Sequence, residues 1–373
     1  MPPYITFRGQ THLIKTFDDI IDYIENEINQ GNDLNERDIT NRGCTLLLII
    51  AEQTKYRKLY DVLKKLINSG ADINIQDDIG FTALMRSSQK TNVTSSIETV
   101  KLLIDSGANL DIRDCEGCTA LMNASIYSNT TSNIETIKLL IDSGANLNIQ
   151  SIEGWTALMT VCCNSNTTSN IKTVKLLIDS GANLDIQDNN GWTALMHICK
   201  CSKPVSFFET FTLLIDSGAN IDLKNNEGWT ALMVAVRYSN NLNIIKTLIS
   251  KNNMTIVTSA NNTYKSCKGN TFLHLCAMGI KEKTSNYEIL KFLETLGIDK
   301  KIKNSEGKTY TDCLGVDYYV TPTCGICFNT NVLITILDCS CRCAKQCIDC
   351  TRQLDKCSYC KKSFNEFKIV RII

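Results

Sequence analysis

The feature that most constrains this chain is a short string that returns every 37 residues. GFTALM begins at Gly80, GCTALM at Gly117, and GWTALM at Gly154, Gly191 and Gly228, each start 37 residues after the last. GCTLLL at Gly43 extends the beat backwards by another 37, while GNTFLH at Gly269 comes after 41 residues and GKTYTD at Gly307 after 38. A second phrase, LLIDSGANL or LLIDSGANI, keeps step around Gly107, Gly144, Gly181 and Gly218. A fixed period of this size marks stacked supersecondary units.

Each unit reads as two short helices and a turn. TALM opens the first helix, with Thr82 placed to cap the amides that lack partners there. The polar stretch QKTNVTSS (89–96) interrupts the pattern, and Ile97, Val100, Leu103 and Ile104 then give a second helix one apolar stripe. Gly107 suits the left-handed conformation that ends such a helix, and NLDIRDCEG (109–117) is short, extended and rich in turn formers. One unit of this size cannot bury its stripe alone. Stacked neighbours can, which predicts a solenoid held by nearest-neighbour interfaces.

These phrases resemble the ankyrin repeat, G-x-T-P-L-H-x-A-A followed by V-x-L-L-L-x-x-G-A-x-x-N, at about 33 residues. This chain has Ala for the Pro and usually Met for the His; only the unit with Thr271, Phe272, Leu273 and His274 keeps the histidine. The four extra residues fall between the two helices. The resemblance covers 43–315, seven units and a partial eighth, and residues 17–40 look like the second half of a preceding unit. The expected fold is therefore mostly α: a partial repeat and cap over 1–42, an ankyrin-repeat solenoid over 43–315, and a separate module over 316–373. The composition and unit style also resemble ankyrin proteins of giant DNA viruses, which would imply the host cytoplasm.

The resemblance implies a protein partner held by the turn tips and first helices. The tips vary on a constant frame: Asp77, Asp78, Ile79; Asp114, Cys115, Glu116; Ser151, Ile152, Glu153; Asp188, Asn189, Asn190; Asn225, Asn226, Glu227. Their acidic, polar character suits a partner with basic patches, although loops also drift when nothing constrains them. Phe81, Cys118, Trp155, Trp192 and Trp229 form a ladder after the phased glycine. Exposed tryptophans anchor partners, so Trp155, Trp192 and Trp229 are candidate substrate contacts; packing against the next unit is the competing role. The sequons at Asn92, Asn129 and Asn166 fall in the polar loops and are expected to be inert. His12, His197 and His274 lie far apart, with no nucleophile–base constellation around them.

Cysteine usage changes abruptly near the carboxyl end. Of the 19 cysteines, ten are spread over 1–321 and nine crowd between Cys324 and Cys360. The start of the chain shows no secretory leader, so a disulfide framework is disfavoured and the spread cysteines read as small buried apolar residues. The outer pairs Cys324/Cys327 and Cys357/Cys360, with Cys347/Cys350 between them, are each two residues apart, a spacing that lets both thiolates face one tetrahedral zinc. Cys339, Cys341 and Cys343 supply the remainder. Eight ligands serve two zinc ions, so one of nine is spare.

The order of the pairs resembles a RING finger, specifically the short RINGs of the inhibitor-of-apoptosis family. That resemblance implies a two-zinc cross-brace in which Cys324, Cys327, Cys347 and Cys350 hold one ion. Cys357 and Cys360 hold the other with Cys341 and Cys343, or with Cys339 and Cys341 as the alternative register. It also implies a ubiquitin ligase without a catalytic residue of its own, acting by positioning a charged ubiquitin-conjugating enzyme. Ile326 would contact that enzyme, or else fill the small core. Lys361 would grip ubiquitin, or else be a solvated charge. The apolar tail with Phe364, Phe367 and Ile369 implies a homodimer through a tail strand. The family's proline after the seventh ligand is Ser358 here, a departure that bears on activity more than on fold.

Composition sets the outer bounds. Net charge is zero, and residues 322–373 carry an excess of only about four positive charges with no basic recognition helix, which disfavours nucleic acid as partner. No run of about 18 apolar residues exists, so no membrane span is expected; the expected location is cytoplasmic, with the nucleus as an open alternative. Three functions remain, in order: a modular ubiquitin ligase whose array captures substrate, a non-enzymatic scaffold with a structural zinc domain, and a zinc-dependent nucleic-acid binder.

Overall fold

The computed structural model describes residues 17–128, 130–164, 171–200, 205–251, 269–314, 334–337 and 367–370. The repeating phrases become pairs of antiparallel helices. After α1 (Phe17–Gln30), the pairs are α2 (Leu46–Ala51) with α3 (Arg57–Asn68), α4 (Ala83–Gln89) with α5 (Ile97–Asp105), and α6 (Ala120–Ile126) with α7 (Ile134–Asp142). They continue as α8 (Ala157–Asn164) with α9 (Ile171–Asp179), α10 (Ala194–Lys200) with α11 (Val205–Asp216), and α12 (Ala231–Tyr238) with α13 (Leu242–Lys251). Then come α14 (Phe272–Lys281) with α15 (Tyr287–Thr295), and finally α16 (Tyr310–Leu314). First helices stack on first helices from α2 to α16, and α1 packs on α3 as the second half of a unit would.

Local chemistry starts and stops each helix. The hydroxyls of Thr45, Thr82, Thr119, Thr156, Thr193 and Thr230 accept the amide three residues on at 3.3–3.5 Å. Each such cap is worth about 1 kcal/mol. Second helices start on Ser96, Asn133 and Asn286 in the same way. Gly107, at φ +93°, ends α5 in the left-handed region, with nothing within 4 Å of the place a Cβ would occupy. The φ is the whole reason for that glycine.

The phased glycines answer to a different requirement. A Cβ on Gly80 would stand 2.7 Å from the amide nitrogen of Cys115, and one on Gly154 would stand 2.6 Å from that of Asn189. The segment joining one unit to the next forms a finger, and each finger passes over the glycine of the one before. Backbone bonds join successive fingers: Cys115 N to Ile79 O at 3.0 Å, Ile152 N to Glu116 O at 2.9 Å, Asn189 N to Glu153 O at 3.1 Å, and Asn226 N to Asn190 O at 3.0 Å. Gln76, Gln150 and Gln187 donate to a carbonyl in their own finger and to another in the next.

The core lies between the helix layers. First helices have neighbours on both sides and their own second helix behind, so Ala83, Leu84 and Met85 are all buried, whereas α5 buries only Thr99, Val100 and Leu103. This is why the first-helix phrase tolerates little change. The four-residue insertion is also part of the stack. Lys55 N donates to Thr94 O at 3.0 Å, Asn92 N to Thr131 O at 2.9 Å, and the Ser132 hydroxyl to Ser88 O at 2.8 Å. Asn92 Nδ2 donates to the Ser132 carbonyl. The first sequon asparagine is thus engaged in the stack through its side chain.

Near the carboxyl end, β1 (Ile334–Leu337) pairs antiparallel with β2 (Phe367–Val370), Ile334 opposite Val370 and Leu337 opposite Phe367. The tail therefore does contain a strand, but its partner is a strand of the same chain. No helix among the described residues is long and apolar enough to cross a membrane.

Candidate functional site

Each finger begins with a residue that the sequence reading grouped with the variable recognition tips. The structure corrects this: Asp77, Asp114, Asp188 and Asn225 are buried. Each Oδ1 accepts the amide two residues on and the amide four residues on, at 2.8–3.0 Å, folding the finger around itself. The second side-chain oxygen reaches the first helix nine residues later. Asp77 pairs with Arg86, Asp114 with Asn123 at 3.1 Å, and Asp188 with His197 at 2.9 Å. Only the two following residues of each finger face solvent.

The aromatic ladder lies beside these pairs and is half-buried throughout. Trp155 packs on His197 of the next unit with centroids 4.6 Å apart, and Trp192 packs on the same imidazole at 5.5 Å. Lys200 places its ammonium 5.0 Å from the centre of Trp192. Trp229 meets Tyr238 at 6.1 Å, Arg237 lies 5.6 Å from the centre of Tyr238, and Arg86 lies 5.8 Å from the centre of Phe81. The ladder thus packs between and within units and stays partly exposed. Ile152 (63% exposed) stands at the tip beside Trp155.

Burial holds the pKa of His197 below its ordinary value, against the opposing pull of the Asp188 hydrogen bond. His197 is then neutral near pH 7 and donates to Asp188 through Nε2. His274 is also lowered by burial; its Nδ1 accepts the Thr271 amide at 3.2 Å and its Nε2 meets the Lys308 carbonyl at 3.0 Å. Burial pushes the Cys118 thiol up to about 12, helped by Asp114, so the cysteine rung is an unreactive apolar contact. The Thr271 hydroxyl stands 2.8 Å from His274 Nδ1, buried in the capping box that opens α14. His12 lies outside the described residues.

Cys324, Cys327, Cys339, Cys341, Cys343, Cys347, Cys350, Cys357, Cys360, Ile326, Lys361 and Phe364 lie outside the described residues, and Phe367 and Ile369 are described only as backbone of β2. Among the described residues no group of three or more His, Cys, Asp or Glu side chains is arranged to hold a metal.

The sequence reading missed the pairs nine residues apart and the placing of His197 between two indoles. The first left a trace in the sequence: Asp at the start of a finger accompanies Arg, Asn or His nine residues later. The second depends on residues 42 apart and left none.

Fold and site together define a helical repeat array with an open face of fingers and first helices. The family description Ankyrin repeats (3 copies) matches residues 47–151, 126–225 and 205–304, and the chain belongs to the ankyrin-repeat family. Among solved structures it is similar to the ankyrin repeat domain of Bcl-3, described as a unique member of the IkappaB protein family, at 25% identity and a TM-score of 0.51, over 62% of this chain and 92% of that one. A second similar chain comes from the Bd0816 predatory endopeptidase of Bdellovibrio bacteriovorus in complex with immunity protein Bd3460, at 28% identity and a TM-score of 0.43, over 55% of this chain and 97% of that one. No curated protein matches.

Proposed function

We infer that the protein is an interaction scaffold whose fingers and first helices hold a protein partner. The observation that carries this is the Trp155–His197–Trp192 stack, half-buried on the open face with exposed fingers beside it. Rigid aromatic groups of this kind supply contact area at little entropic cost. A photo-crosslinking residue placed at Asn189 or Glu227 tests the reading in cells, with Lys138 on the outer face of α7 as control. One protein captured from both fingers and not from Lys138 supports it. Equal capture from all three places overturns it.

A second reading adds ubiquitin transfer, and the order and spacing of the nine cysteines favour it. Eight of them would hold two zinc ions as thiolates, a donor set that suits tetrahedral zinc, and Ile326 would meet the conjugating enzyme. The pairing of β1 with β2 brings the chain end back beside the residues preceding Cys339, which supports treating tail and cysteines as one unit. A tail-mediated homodimer would have to use the other edge of β2. The test is self-ubiquitination by the full chain across a panel of conjugating enzymes, with Ile326→Ala and Cys341→Ser alongside. Chains lost in both variants support the ligase. No chains from a protein carrying two zinc ions leaves the scaffold alone.

A further inference from the structure

Three aromatic groups on the open face carry a cation from their own unit. Arg86 comes from five residues beyond Phe81, Lys200 from eight beyond Trp192, and Arg237 from eight beyond Trp229, over the neighbouring Tyr238. At the corresponding places after Trp155 stand Thr160 and Cys163, neither able to supply a charge of that sign. Among the described residues no cation lies over Trp155. Among the described residues its ring neighbour is His197, which burial keeps neutral.

Arg113, held by the Gly117 carbonyl at 3.2 Å, brings one cation to the base of the preceding finger, and the exposed tips around Trp155 beyond it are acidic. Glu153 is exposed two residues before it in the same finger. Glu116 is exposed in the preceding finger, whose carbonyl takes the Ile152 amide at 2.9 Å, so the two acidic tips are neighbours. Neither carboxylate has an ion pair among the described residues, unlike Asp78, which Arg37 holds at 2.7 Å. Ile152 offers an exposed apolar side chain at the same tip.

We propose that Trp155, with Glu153, Glu116 and Ile152, seats an arginine side chain of the protein partner. The guanidinium lies against the exposed part of the half-buried indole, the two carboxylates draw it in, and its methylene stem covers Ile152. Arginine fits better than lysine because its planar, weakly hydrated head stacks on aromatic faces, and two of the three built-in cations are arginines. An acidic or purely apolar side chain would leave both carboxylates without benefit. This rests on the reading of the array as a protein-binding face.

The chain has three tryptophans, so indole-15N labelling of the full protein gives three N–H signals, assigned by single Trp→Phe variants. The probe is an acetylated glycine–arginine–glycine–arginine–glycine amide, with the same peptide carrying citrulline as control. The Trp155 signal is expected to move most, and saturably, with the arginine peptide only. Glu153→Gln with Glu116→Gln, both surface changes, should weaken the apparent Kd by roughly threefold or more. An equal shift with citrulline, or movement of Trp229 in place of Trp155, overturns the proposal. A partner captured at the fingers that ignores both Trp155→Phe and Glu153→Gln also overturns it and leaves the scaffold standing. A saturable shift at Trp155 with no captured partner supports the seat and counts against the scaffold instead.

Discussion

The Nε2 of His197 stands 2.9 Å from Oδ2 of Asp188, between the rings of Trp155 and Trp192. The pair ties the start of a finger to the helix that follows it, and burial makes it sensitive to pH. Burial lowers the folded pKa of His197, and of His274, below the ordinary value of 6.5. The unfolded chain therefore binds more protons between the folded pKa and about 6.5, and stability rises with pH across that window. Urea midpoints are expected to fall from pH 7.5 to pH 5.5, and His197→Gln to flatten part of that slope. A midpoint that stays level or rises on acidification would falsify the assignment.

Two glycine substitutions separate backbone conformation from finger stacking. Gly144, at φ +94°, has nothing within 4 Å of the place a Cβ would occupy, while a Cβ on Gly154, at φ +84°, would stand 2.6 Å from the Asn189 amide nitrogen. Gly144→Ala should cost about 1–2 kcal/mol for the left-handed conformation alone. Gly154→Ala should cost clearly more, because one finger must lift off the next. Equal losses in denaturant melts would mean that the contact between fingers contributes nothing.

The sixth unit departs from the finger-to-helix pairing. Asn225 keeps both amide contacts through Oδ1, but its buried Nδ2 has no partner, and the residue nine places on is Val234. Asn225→Asp would put a carboxylate oxygen where no donor waits, at a cost of about 1–3 kcal/mol. Asp188→Asn, opposite His197, should lose less, since the imidazole can change tautomer to accept. The comparison is made on thermal midpoints near pH 7.5, and the reverse order would contradict it.

The carboxyl-terminal cysteines are expected to make the protein respond to metal in one region only. Elemental analysis should find two zinc ions per chain, each worth about 10–16 kcal/mol of apparent binding free energy. Chelation should remove the amide signals of 316–373 while the helical circular dichroism of the array persists. Signals from that segment surviving at low free zinc would dismiss the zinc assignment.

Much of the array was legible because its determinants are local. The threonine before TALM caps its helix, Gly107 ends one, and 89–96 separates two, each through contacts a few residues apart. The finger residues were read less well. Asp77, Asp114 and Asp188 look like solvated turn formers, yet they are buried because their own finger closes over them and the following helix supplies a partner.

The amino-acid sequence by itself determined the period, the helix boundaries and the family, because the requirements for caps, turns and apolar stripes are met within one unit. Tertiary structure alone decided that Trp155 meets His197, that one finger's amide meets the last finger's carbonyl, and that the tail strand pairs with 334–337. Those contacts join residues about 30 to 40 apart, and the first two form only when whole units stack. The rise and rotation from one unit to the next then set which side chains meet, and no local preference encodes that.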